Sequence, residues 1–136
     1  MEQTEALQAA LAGEHAAIYA VGVAGGHLHG GQFAAASDLL RRHRERREQL
    51  DAMVIAAGEQ PVAAAPAYDL PSLVSTPTSA TALLRLVEQR LAAVYGDLVE
   101  AATDNKIRSF AVQSLVTCAS DQVRWGGAPA AFPGSV

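Results

Sequence analysis

A chain of 136 residues forms one domain, and a formal charge of −4 argues against a general binder of nucleic acid or anionic membrane, which needs a basic surface. Half of the residues are apolar, yet only seven are aromatic and 29 are alanine, a balance that suits closely packed helices. One cysteine excludes an internal disulfide, and the excess of arginine over lysine reflects base composition more than chemistry.

The opening Met-Glu-Gln-Thr-Glu is acidic where a secretory leader would be basic. Ala16 to Ser37 lacks Asp, Glu, Lys and Arg, but it holds His27, His29, Gln32 and several glycines. Its apolar part stops near Ala24, short of the about 20 residues that a membrane span needs. A soluble, cytoplasmic protein is expected.

Four stretches carry apolar residues at alternating spacings of three and four, the period of helices packed side by side. The first helix is expected over about residues 2–29, with Thr4 as candidate cap and a stripe of Leu7, Leu11, Glu14, Ile18 and Val21. The glycines at 25–26 and 30–31 then make a short turn. The second, over about residues 32–57, carries Leu40, His43, Arg47, Leu50 and Val54, and stops at Gly58. Residues 58–78 hold Pro61, Pro66, Pro71 and Pro77 and no helical period. The third helix, about 79–102 with Ser79 as candidate cap, carries Leu84, Glu88, Leu91, Tyr95 and Leu98. After a tight turn at Asp104-Asn105 the fourth, about 106–125, carries Ile107, Ala111, Ser114, Cys118, Asp121 and Trp125. Residues 126–136 read as an extended tail.

Loops as long as 58–78 are uncommon in compact domains and have a job. A helix of about 25 residues is about 37 Å long, whereas about 20 extended residues reach about 65 Å. The connection therefore has the reach to return the chain to the far end of a bundle formed by residues 1–125. The fold class expected is all-α, a four-helix bundle of two antiparallel helical hairpins joined by a long crossover, with a plain up-down-up-down bundle as the alternative.

Each stripe admits ionisable residues near mid-helix. A lone buried charge costs several kcal/mol, so such groups are paired or bind something. With hairpin centres near residues 30 and 104–105, Glu14 and Arg47 lie at similar depths on the first hairpin, and Glu88 and Asp121 on the second. The first pair reads as an internal ion pair. The second is a like-charge pair, which raises one pKa or calls in a cation. His43 lies one turn from Arg47. The expected polar interior is thus Glu14, His43, Arg47, Glu88 and Asp121, although Asp51 fits an inward position as well as Arg47 does.

Other features carry less. His27-Leu28-His29 at the turn could bind a surface metal, but two histidines without a third ligand are usually only solvated. The arginines at 41, 42, 44, 46 and 47 interleave with Glu45 and Glu48 at helical spacing, which suits a solvated face with local ion pairs. Stacking aromatics for nucleic acid are missing there. Cys118 falls on a core stripe and reads as inert packing.

The segments Glu14-His15-Ala16-Ala17-Ile18-Tyr19-Ala20, Arg41-Arg42-His43-Arg44-Glu45-Arg46-Arg47 leading to Leu50, Pro66-Ala67-Tyr68, Glu88, Arg124-Trp125 and Ala131-Phe132-Pro133-Gly134 carry a resemblance over nearly the whole chain. It resembles the ferritin-like superfamily and, within it, the mostly actinobacterial ferritin-like family catalogued as domain of unknown function 4439. That resemblance implies a ferritin-like four-helix bundle and no established activity. Di-iron members of the superfamily use one Glu from each of two helices and a Glu-x-x-His from each of the other two. Glu14 and Glu88 match the single glutamates. Neither Glu-x-x-His is present: Leu40 stands three residues before His43, the nearest alternative on the second helix is Glu48-x-x-Asp51, and the fourth offers Cys118-x-x-Asp121 and Gln122-x-x-Trp125.

A bundle lacking the full di-iron ligand set is expected to be a non-catalytic scaffold or binding protein without a cofactor. The alternative is a metal-binding protein or oxidoreductase holding iron or manganese on Glu14, His43, Glu88 and Asp121. A second alternative is an interaction module that displays the arginine-rich face to an acidic partner. The first helix is apolar nearly all round from Ala16 to Ala24, so a homodimer through a face of helix one or helix two is expected.

Overall fold

Each helix begins and ends where its local sequence satisfies the free backbone groups. The computed structural model describes residues 1–134, so the last two residues of the expected tail lie outside the described residues. Helix α1 spans Gln3–Gly25, α2 Gly30–Ala56, α3 Pro77–Ala101 and α4 Asn105–Arg124. At the start of α1 the Glu5 side chain accepts from the Glu2 backbone N–H, so Thr4 lies inside the helix rather than capping it. The cap of α3 is Thr76, not Ser79: its hydroxyl accepts from Ser79 N at 3.1 Å while Ser79 Oγ accepts from Thr76 N at 3.0 Å. Pro77 fills the first helical position, where its missing N–H costs nothing. Asp104 caps α4 through Lys106 N and Ile107 N.

Helices α2 and α4 close in the same way. Gly58 and Gly126 take φ of +81° and +97°, which only glycine adopts cheaply, and the following amide turns back to bond Val54 O and Gln122 O respectively. Helix α1 ends at Gly25, where its apolar part ends, rather than near residue 29 as expected, and Leu28 of the turn is buried against the core.

The crossover is realised. Gln3 Oε1 accepts from Thr103 N and Asp104 N, which sets the start of α1 beside the end of α3. Val54 near the end of α2 shares an apolar cluster with Leu98 near the end of α3, while Leu39 and Leu84 share the other, so α2 and α3 run parallel. The connecting segment travels along α1. Gln8 bonds both Gln60 O and Val62 N, His15 Nε2 donates to Val62 O at 3.0 Å, and Tyr68 packs on Tyr19 with ring centres 5.8 Å apart. Leu70 and Val74 then reach the cluster at the opposite end. The result is an all-α four-helix bundle, two antiparallel hairpins joined by one long crossover. None of the described helices is long and apolar enough to cross a membrane.

Spacing between helices follows side-chain size. Helix α1 buries Ala6, Ala10, Ala17, Ala20 and Ala24, and the backbones of α2 and α3 approach it closely. Helices α2 and α4 stand apart, because α2 presents arginines on that side. The tail does not simply extend: Gly134 folds back against Ala92 and Gly96 of α3 and Leu115 of α4.

Thr76→Ala removes the cap of α3 and is expected to cost about 1 kcal/mol of stability. Urea denaturation followed by circular dichroism checks it.

Candidate functional site

The four stripes are apolar at both ends and polar in one central layer. Glu14 lies between Leu11 and Val21 on α1, His43 between Leu39 and Leu50 on α2, and Glu88 between Leu84 and Leu91 on α3. These three side chains are wholly shielded from solvent. His43 Nδ1 donates to Glu14 Oε1 at 2.7 Å and His43 Nε2 to Glu88 Oε1 at 2.9 Å. An imidazole that donates from both nitrogens is an imidazolium. Arg46 Nε donates to the second Glu14 oxygen at 2.9 Å, and the Tyr95 hydroxyl reaches that oxygen at 3.2 Å. Two carboxylates and two cations therefore balance. Arg46 Nη2 also lies 2.9 Å from His43 Nδ1, a contact between two donors rather than a hydrogen bond. Glu88 Oε2 is buried without a hydrogen-bond partner among the described residues.

Electrostatics follow from this arrangement. Burial opposes the charge on His43, but the Glu88 and Glu14 carboxylates outweigh it and push its pKa from 6.5 up to about 9. Burial would raise the Glu14 carboxyl, yet His43 and Arg46 overcome this and hold it below its ordinary value. The Cys118 thiol is driven well up by burial and by the Glu88 charge, and the Tyr95 hydroxyl by burial and Glu14, so both stay protonated. A protonated, wholly buried thiol is a poor nucleophile, in line with its reading as packing.

Of the expected polar interior, Glu14, His43 and Glu88 meet. Arg47 does not join them: its side chain is 29 % exposed and pairs with the neighbouring Glu48, and Arg46 takes the inward place. The reason is angular. Arg46 is three residues from His43 and continues a buried row through Ala36, Leu39, His43, Arg46 and Leu50, whereas Leu40 and Arg47 lie on the adjacent row. Asp51 is half-buried outside the cluster. Asp121 is buried but does not face Glu88 as a like charge. It accepts a two-pronged contact from Arg42 of α2, and Arg42 also bonds Asp38. Arg42, Arg46 and the hydroxyl of Tyr95 were not singled out from sequence. Alternate arginines on a helix that must bury one face were the available signal. His27 and His29 flank the buried Leu28 of the turn and do not approach the cluster.

These donors do not fit a dimetal centre. Both His43 nitrogens are spent as donors, both Glu14 oxygens are held by cations, and a guanidinium borders the space. Among the described residues no group of three or more His, Cys, Asp or Glu is arranged to hold a metal ion.

A four-helix bundle with a single crossover and a charge-balanced polar layer thus defines the class. The chain belongs to the family described as Domain of unknown function (DUF4439), whose model matches residues 6–136. It is similar to the crystal structure of a conserved hypothetical protein, rv2844, from Mycobacterium tuberculosis, with a TM-score of 0.88 and 34% sequence identity over 90% of this chain and 93% of that one. Comparison with curated proteins gives no match.

Arg46→Ala leaves Glu14 short of a cation and is expected to cost about 3–5 kcal/mol. Arg47→Ala is expected to stay within about 0.5 kcal/mol. Chemical denaturation of the two variants side by side decides which arginine is internal. The pH dependence has two limbs. The contribution of His43 is complete below pH 6.5 and is lost as the pH rises through about 9. That of Glu14 is complete above 4.5 and is lost as the pH falls through its lower folded value. The layer is therefore strongest between these unfolded-state values, and imidazole ¹⁵N shifts of His43 should titrate near pH 9 rather than 6.5.

Proposed function

We propose that this protein is a non-catalytic, ferritin-like bundle of the cytoplasm, a scaffold or binding protein, in which an internal ion quartet stands where di-iron members of that superfamily hold metal. The observation that carries this reading is His43, flanked on both ring nitrogens by carboxylates at 2.7 and 2.9 Å. A protonated imidazole has no lone pair for a metal, and the Arg46 guanidinium repels a cation from the same space. The test is metal analysis of protein purified without a histidine tag, followed by iron and manganese titration read by absorbance. Sub-stoichiometric metal is expected, unchanged by Glu14→Ala or Glu88→Ala. Stoichiometric metal that disappears in those variants overturns the reading in favour of a metal-binding protein or oxidoreductase using Glu14, His43, Glu88 and Asp121. An arginine-displaying interaction module draws less support, since Arg41, Arg42, Arg46 and Arg47 each already face a carboxylate.

The same reading includes pairing with a second copy through the α1–α2 face. Phe33 is 51% exposed there, beside a cleft of about 320 Å³ lined by Val21, Gly22, Gly25 and Leu40. Glycines on one helix and an exposed ring on its neighbour form a self-complementary surface of the kind two-fold dimers use. Sedimentation equilibrium is expected to give a dimer that Phe33→Glu converts to monomer; a monomeric native protein removes the proposal.

A further inference from the structure

The gap between α2 and α4 opens a cleft of about 200 Å³ whose floor is Arg46 and Ser114 and whose rim carries Gln49 and Gln113. The Arg46 side chain is 9% exposed and spends only Nε on Glu14. Nη1 has no acceptor among the described residues, and Nη2 meets only the His43 ring nitrogen at 2.9 Å, which leaves its second N–H free. Glu88 Oε2 is the buried side-chain polar atom without a partner among the described residues, so the open N–H groups of Arg46 are reachable from the cleft and can donate to an acceptor that enters it. Ser114 is 4% exposed, and neither its hydroxyl nor the amides of Gln49 and Gln113 make a side-chain hydrogen bond to the described residues. The other charges at the rim are already matched: Arg42 by Asp38 and Asp121, and Glu45 by Arg41 at 2.6 Å.

We propose that this cleft binds a small, singly charged carboxylate, its two oxygens on Arg46 Nη1 and Nη2 and its substituents against Ser114, Gln49 and Gln113. The paired N–H groups of a guanidinium match the two oxygens of a carboxylate in one plane. Glu45 in the lining disfavours a second negative charge, which separates a monocarboxylate from phosphate. The free amides and hydroxyl favour a ligand with a further polar group, such as a hydroxy acid. This inference goes beyond the scaffold reading while resting on its pairing of His43 with Glu14. Failure of that reading appears in metal analysis, not in carboxylate binding.

The experiment is a ¹H–¹⁵N NMR titration of the whole protein at neutral pH with glycolate, acetate and inorganic phosphate in turn. Saturable shifts are expected at the Arg46 Nε–H and the Ser114 amide, with glycolate tighter than acetate and phosphate at least tenfold weaker. Ser114→Leu, which fills the cleft and leaves the Arg46–Glu14 pair intact, should weaken glycolate at least tenfold. If that variant does not fold, Gln113→Leu at the exposed rim should weaken it several-fold. Shifts that do not saturate, phosphate binding as tight as glycolate, or unchanged binding in the folded variant would overturn the proposal.

Discussion

One imidazolium clasped between two carboxylates governs the placement of three helices. Each of the ions in the central layer, taken alone into an apolar interior, costs several kcal/mol. Glu14, His43, Arg46 and Glu88 tolerate burial only together, since removal of any one leaves an uncompensated charge. The layer is therefore a registration device: α1, α2 and α3 must each arrive at one height for the hydrogen bonds of 2.7–2.9 Å to form. Apolar contacts above and below would accept a slip of one turn far more readily.

Side-chain size then shapes what surrounds the layer. Alanines bring α1 close to its neighbours, whereas the long arginines of α2 prop α4 away and are held in place by Asp38, Glu45 and Asp121. The same residues that neutralise the interior thus open a side of the bundle where polar side chains of the floor face a cleft. The long crossover needs no such spacing, because it lies along the small-residue face of α1 and is fastened by Gln8, His15 and Tyr19.

Much of this was legible in the residues. All five expected stripe residues of α3 are buried, as are Ala111, Ser114, Cys118 and Asp121 of α4, with Ile107 half-buried and Trp125 just past the helix end; the length of the proline-rich segment foretells the direction of α3. The three central groups Glu14, His43 and Glu88 stood out as ionisable interruptions of apolar rows. On α2 the pattern was degenerate: Leu39-Leu40 and Arg46-Arg47 are doublets, so two neighbouring rows have the same apolar and basic order. Rotation by one residue, about 100°, separates them, and only contacts with α1 choose between the two. Pairing between Asp121 and Arg42 was hidden for a related reason, since it joins helices of different hairpins whose relative height the turns do not set. The hydroxyls of Thr4 and Ser79 are equally cap-like in sequence, yet Glu2 and Thr76 occupy the cap positions, so α1 and α3 start at Gln3 and Pro77.

The ions of the polar layer are divided unequally along the chain. The first hairpin contributes Glu14 and Asp38 with His43, Arg46 and Arg42, a set with surplus positive charge; the second contributes Glu88 and Asp121, a surplus of negative charge. Neither half can become neutral by closing on itself. Across this layer like halves repel and unlike halves attract, so each hairpin prefers its counterpart to its own kind.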